Sequence, residues 1–68
     1  MNWDIFEGRW NQLKGDLRSQ WGKLTDSDLE NAAGKKDKLI GILQERYGWL
    51  KADAERELDA WIQRLDRR

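Results

Sequence analysis

The sequence predicts an all-α fold: a small bundle of four helices, one of them short, built from two similar helix-turn-helix units. Three observations predict it. Apolar residues recur at spacings of three and four along most of the chain, which is the stripe of an amphipathic helix, and strand-like alternation is not seen. Proline is absent, so no residue forbids helix from one end to the other, and glycine does the punctuating. The sequence also repeats itself. Gly8, Gly15 and Gly22 are seven apart, as are Gly34, Gly41 and Gly48, and a shift of 26 superposes the two sets. The same shift brings Arg9 onto Lys35, Leu13 onto Leu39, Leu17 onto Leu43, Trp21 onto Tyr47 and Leu24 onto Leu50. Two copies are too few for a solenoid, so the repeat implies two units packed on each other.

The first helix is expected over about 3–21, from the stripe Trp3, Phe6, Trp10, Leu13, Leu17 and Trp21. Gly22 stands where that helix should end, the place of a left-handed C-cap, and Leu24 is expected to fold back over the final turn. Thr25 with Asp28 has the form of a helix start, a hydroxyl followed three residues later by an acid, and opens a short helix over about 26–33. A third helix over about 35–47 carries Leu39, Ile40, Leu43 and Tyr47. "RYGWL" then repeats the joint with Tyr47, Gly48 and Leu50, without the threonine cap. The last helix, about 51–66, has the highest helix propensity, and Arg64, Arg67 and Arg68 suit the negative end of its dipole. Trp3, Phe6, Trp10, Leu13, Leu17, Trp21, Leu39, Leu43, Tyr47, Leu58, Trp61 and Ile62 are the expected core. The whole chain, 1–68, reads as one domain near the lower size limit for a core that holds itself together.

Composition excludes much chemistry. With neither cysteine nor histidine, disulfides, thiolate and imidazole metal ligands, cysteine nucleophiles and histidine bases are all absent. Thirteen basic residues balance thirteen acidic ones, which removes the footprint of a dedicated nucleic-acid binder. The halves differ slightly: 1–34 carry four basic and six acidic side chains, 35–68 nine and seven. A charged fraction of 38% and a mean hydropathy of −1.02 leave little core material, and five tryptophans compensate for it. The start of the chain has neither a signal nor a transit pattern and no stretch nears the roughly 18 apolar residues of a membrane span, so a cytoplasmic protein with no membrane segment is expected.

Carboxylates are the only conceivable catalytic material. Asp26 with Asp28, or Glu55 with Glu57, could pair, but acid/base work needs a pocket that separates their pKa values, and a helical domain of this size seldom has one. "TDSD" resembles the opening of a calcium loop yet lacks its glycine and distant glutamate; capping explains it better. No enzyme, metal or cofactor is expected. The basic run "GKKDK", with Arg46 and Lys51 near it, is read first as a solvated face and second as a weak contact for phosphates. Trp21 and Tyr47 sit at core spacing, which favours packing over a role as exposed stacking platforms.

The glycines need an explanation, because each one inside a helix costs on the order of 1 kcal/mol relative to alanine. A helical wheel sets Gly8 and Gly15 away from the core stripe, and Gly41 likewise. Three readings stand: close approach of helices or turns, a small-residue groove for a partner, or deliberate marginal stability. The candidate interaction surface is accordingly Gly8, Gly15 and Gly41 together with Lys35, Lys36 and Lys38. A monomer with an unidentified protein partner is expected, with nucleic acid disfavoured.

Trp10, Lys14 and Gly15, then "QWGKLTD" at 20–26, then Gly34, Lys35, Asp37, Leu39 and Gly41, then "QERYG" at 44–48, and finally Ala54, Glu55 and Glu57 occur in an order that resembles the CsbD-like family of small bacterial stress-response proteins. The resemblance covers most of the chain. Ser27 stands where relatives often continue an aspartate run, and it leaves the Thr25 cap intact. The resemblance implies an all-helical bundle and a part in the general stress response of bacteria. It implies no reaction, and it supplies no catalytic or ligand residues to carry over.

Overall fold

Among the described residues the all-α bundle has five helices, four of them seven residues or longer, the expected first helix being divided in two. The computed structural model describes residues 3–66, and these are 81% helical with no strand among them. The helices are α1 (Trp3–Gly8), α2 (Trp10–Gln20), α3 (Asp26–Ala32), α4 (Lys36–Tyr47) and α5 (Lys51–Asp66). Arg67 and Arg68, expected at the end of the last helix, lie outside the described residues; Arg64 is in the last turn of α5 as expected.

The expected first helix is interrupted at Arg9. This residue has φ −102° and ψ 15°, where a helix needs about −63° and −42°. Its N–H is shared between the carbonyls of Ile5 and Phe6, each at 3.1 Å, so the chain bends within one residue and continues as α2. The bend folds α1 back onto the corner between α3 and α4. Trp3 stacks on Phe6 with centroids 4.3 Å apart, and its Nε1 donates to the Gly34 carbonyl at 2.8 Å.

The repeat is real in three dimensions. Each unit is a short helix, a break and a longer helix, with the break at Gly8–Arg9 in the first and at Ala33–Gly34–Lys35 in the second. α3 and α5 both pack against α4, and α5 closes the bundle with Trp61. That ring meets Phe6 edge-on at 6.0 Å and Trp21 at 5.4 Å, tying the last helix to both ends of the first unit. Phe6, Leu17, Leu29, Leu39, Leu43 and Leu58 are fully buried. Of the expected core, Trp3 and Tyr47 are only half-buried, while Leu29 and Ala32 of the short α3 are buried beyond expectation. Trp10 is buried as expected, although its Nε1 donor finds no acceptor.

Two readings of the glycines are corrected. Gly22 is not a left-handed cap: α2 ends with Trp21 in an extended conformation, and positive φ occurs at Ala33, Gly34 and Gly48. Close approach does not explain the series either. A Cβ at Gly8, Gly15, Gly22, Gly41 or Gly48 would meet nothing within 4 Å; only at Gly34 would it collide, with Glu7 Cγ at 2.9 Å.

Candidate interaction surface

The joint between α2 and α3 is built from side chains. Thr25 Oγ1 accepts the Asp28 N–H at 3.1 Å, and the Asp28 carboxylate accepts the Thr25 N–H at 3.1 Å, a reciprocal capping box that satisfies two free donors at the start of α3. Arg46, at the end of α4, donates to the same carboxylate from Nε at 2.9 Å and from Nη2 at 2.8 Å. Asp28 is the buried charged residue among those described, and the Arg46 hydrogen bonds hold its pKa down at about 2 against the opposing effect of burial. The carboxylate in turn raises the Arg46 guanidinium further above its ordinary range. One side chain therefore caps a helix and fastens it to its neighbour. No sequence pattern marks the pair, whose residues are 18 apart on different helices. The capping signature alone pointed to Asp28.

The candidate carboxylate pairs are drawn apart. Asp26 takes Arg18 Nη1 at 2.8 Å and is exposed, whereas Asp28 faces Arg46. Glu55 lines a shallow depression on the outside of α5 with Ala52, Arg56, Asp59, Ala60 and Gln63, and Glu57 does not contribute to it. No group of three acidic side chains placed to hold a metal ion occurs among the described residues.

The lysines of the candidate surface divide. Lys35 Nζ reaches Glu7 at 3.1 Å, and Lys36 Nζ reaches Asp59 at 3.2 Å while lying 5.9 Å over the Trp3 ring. Both serve contacts between helices. Lys38 instead lies beside Gly41 in an open depression shared with Asn31, Ile42 and Glu45. Gly8 and Gly15 are exposed on α1 and α2 and do not line it. The predicted surface is thus one grouped pair, Lys38 and Gly41, plus scattered residues.

A second surface forms where the two joints meet. Tyr47 and Trp49 stack at 4.6 Å, the Tyr47 hydroxyl accepts the Lys23 N–H at 3.3 Å, and Lys23 Nζ lies 5.1 Å over the Tyr47 ring. Leu50 beside them is 73% exposed. The expectation that Leu50 seals its joint as Leu24 does is therefore corrected: Leu24 is 2% exposed and the half-buried Trp49 covers the second joint instead.

These features define a small all-helical protein whose most perturbed ionisable groups hold its own helices together. The chain belongs to the CsbD-like family, whose model matches residues 4–56. It is similar to the UPF0337 protein YjbJ of Escherichia coli O6:H1, with 52% identity over 68 residues covering the whole chain and 99% of that protein. It is also similar to UPF0337 protein PA4738 of Pseudomonas aeruginosa, with 49% identity covering 96% of the chain and all of the relative. UPF0337 protein YjbJ of Salmonella typhimurium is 51% identical over 90% of the chain and 87% of its own length. No solved structure matches the chain significantly. No helix among the described residues is long and apolar enough to cross a membrane.

Proposed function

We propose that the chain is a non-enzymatic protein of the bacterial general stress response, working in the cytoplasm through contacts of its folded surface with other proteins. The observation that carries this reading is the engagement of Asp28. The carboxylate with the most perturbed pKa, which would be the first candidate for acid/base chemistry, is capped by Thr25 and clamped by Arg46. Membership of the family supports the stress role, and the absence of cysteine and histidine supports action without covalent or metal chemistry.

Bulk protection in the manner of a hydrophilin is the second version, favoured by the mean hydropathy of −1.02. The two versions differ in whether the fold matters. A client enzyme is dried or osmotically stressed with equal masses of wild type and Leu17→Ala, in which a fully buried side chain is truncated. Protection that falls with the lost fold supports contact through the surface; equal protection supports bulk action; no protection by either overturns both. Crosslinking pull-downs from stressed and unstressed cells then identify what is touched.

A weak nucleic-acid contact through the basic 35–51 stretch has less support. Lys35, Lys36 and Arg46 already pair with Glu7, Asp59 and Asp28 of the same chain. Salt-sensitive binding to DNA or RNA at low ionic strength is the result that would revive it.

A further inference from the structure

Three of the four bends in the described chain are fixed locally. The α2–α3 joint has the Thr25 capping box, the α3–α4 bend has left-handed Ala33 and Gly34, and the α4–α5 bend has left-handed Gly48. The α1–α2 bend has neither device. Arg9 offers no side-chain cap, no residue there has positive φ, and space around a Cβ at Gly8 is open. The helical bond from Arg9 N–H to the Ile5 carbonyl and that from Leu13 N–H to the Arg9 carbonyl are both already made. The apolar stripe of the sequence runs through the bend without a change of spacing. The two bonds at Arg9 are the last of α1 and the first of α2; straightening Arg9 would join the helices by carrying the Trp10, Asn11 and Gln12 N–H groups onto the Phe6, Glu7 and Gly8 carbonyls, where the bend now turns Gln12 N–H to the Arg9 carbonyl at 2.9 Å.

What holds the bend is the docking of α1 on distant parts of the chain. Phe6 is fully buried and packs on Trp61. Trp3 donates to the Gly34 carbonyl, Glu7 pairs with Lys35, the Glu7 stem fills the space that a side chain at Gly34 would need, and Lys36 lies over Trp3. All of these contacts lie on α1 itself, on the N-terminal side of the hinge, so they move with α1 as a unit. We propose that the cleft between the α3–α4 corner and α5 accepts the α1 segment of a second copy of this chain, giving a dimer by exchange of α1 when the hinge at Gly8–Arg9 straightens. The inference goes beyond the proposed function and does not depend on it.

It also gives Gly8 a role that close packing does not. In the closed monomer Gly8 is the last residue of a short helix; in the exchanged form it lies inside a helix running from 3 to 20, where glycine is disfavoured. Glycine there favours the closed monomer, and alanine removes that bias. Purified Gly8→Ala is therefore expected to show a concentration-dependent dimer in sedimentation and light scattering, several-fold above wild type, while Arg9→Gly, which loosens the hinge, is expected to stay monomeric.

The route is tested by charge reversal at the docking ion pair in the Gly8→Ala background. Glu7→Lys alone and Lys35→Glu alone place like charges against each other in every closed monomer and every self-exchanged dimer. Co-refolded together, the two variants restore opposite charges at both docking sites of a mixed dimer, and only if α1 is exchanged. Native mass spectrometry should find the mixed dimer several-fold above the statistical share. A Gly8→Ala protein that remains monomeric at all concentrations overturns the proposal, and so does a dimer that mixes statistically.

Discussion

Joint one, Trp21 to Thr25, and joint two, Tyr47 to Lys51, occupy equivalent places in the repeat, each with an aromatic residue, a glycine and a leucine at matching positions. In joint one the glycine has no special conformation; Leu24 N–H returns to the Trp21 carbonyl at 3.1 Å, Leu24 is buried, and the Thr25–Asp28 box starts the next helix. In joint two Gly48 takes φ 70° and its N–H closes on the Gln44 carbonyl at 2.8 Å, while Leu50 turns outward and no threonine cap follows. One joint is held by side chains and the other by backbone conformation. An identical letter in a repeat therefore does not carry an identical physical duty. The surrounding chain decides which residue of the joint bears the load.

The largest difference should appear at the leucines. Leu24→Ala removes a side chain that is 2% exposed and is expected to cost about 2–5 kcal/mol, which approaches the whole stability of a domain this small. Leu50→Ala removes one that is 73% exposed and should stay within about 0.5 kcal/mol. Urea unfolding followed by tryptophan fluorescence measures both. Equal losses would mean that the two joints are held alike after all.

Next comes the side-chain lock. Thr25→Ala should cost about 1 kcal/mol by opening the capping box, with no counterpart at Lys51 in joint two. Asp28 extends this to pH. Its carboxyl is held at about 2 in the folded protein against an ordinary 3.8, so its contribution is complete above about pH 4 and is lost as the pH falls toward 2. Acid titration of the unfolding free energy should therefore steepen between pH 4 and 2 in wild type, and Asp28→Asn should flatten that limb. A limb unchanged by the substitution would remove Asp28 from the account of joint one.

How much of this was legible follows from the range over which each cause acts. The stripes that form the core, the Thr25 start and the repeat are local or periodic patterns, and the structure follows them. The bend at Arg9 is set by what α1 reaches: Gly34, Lys35 and Trp61 are far along the chain, and the Gly8–Arg9 pair carries no proline or capping residue to announce a break. The Arg46 clamp on Asp28 has the same character. Of the candidate surface, Lys38 and Gly41 come together because they share one face of α4, whereas Lys35 and Lys36 are drawn into ion pairs that depend on where α1 and α5 dock.

The smallest effects give the clearest contrast, because they should differ in sign. Gly48 sits at φ 70°, a conformation that places a Cβ against its own backbone, so Gly48→Ala is expected to destabilise by about 1 kcal/mol although open space surrounds it. Gly22 has equally open space and no positive φ, so alanine there restricts the unfolded chain without straining the folded one and should stabilise by about 0.4–1 kcal/mol. Thermal melts of the two single variants test this directly. Opposite shifts in Tm would establish that glycine performs its conformational task in joint two alone. Shifts of the same sign would mean that joint one also relies on the freedom of its glycine, and that the side-chain lock at Thr25 and Asp28 supplements that freedom instead of replacing it.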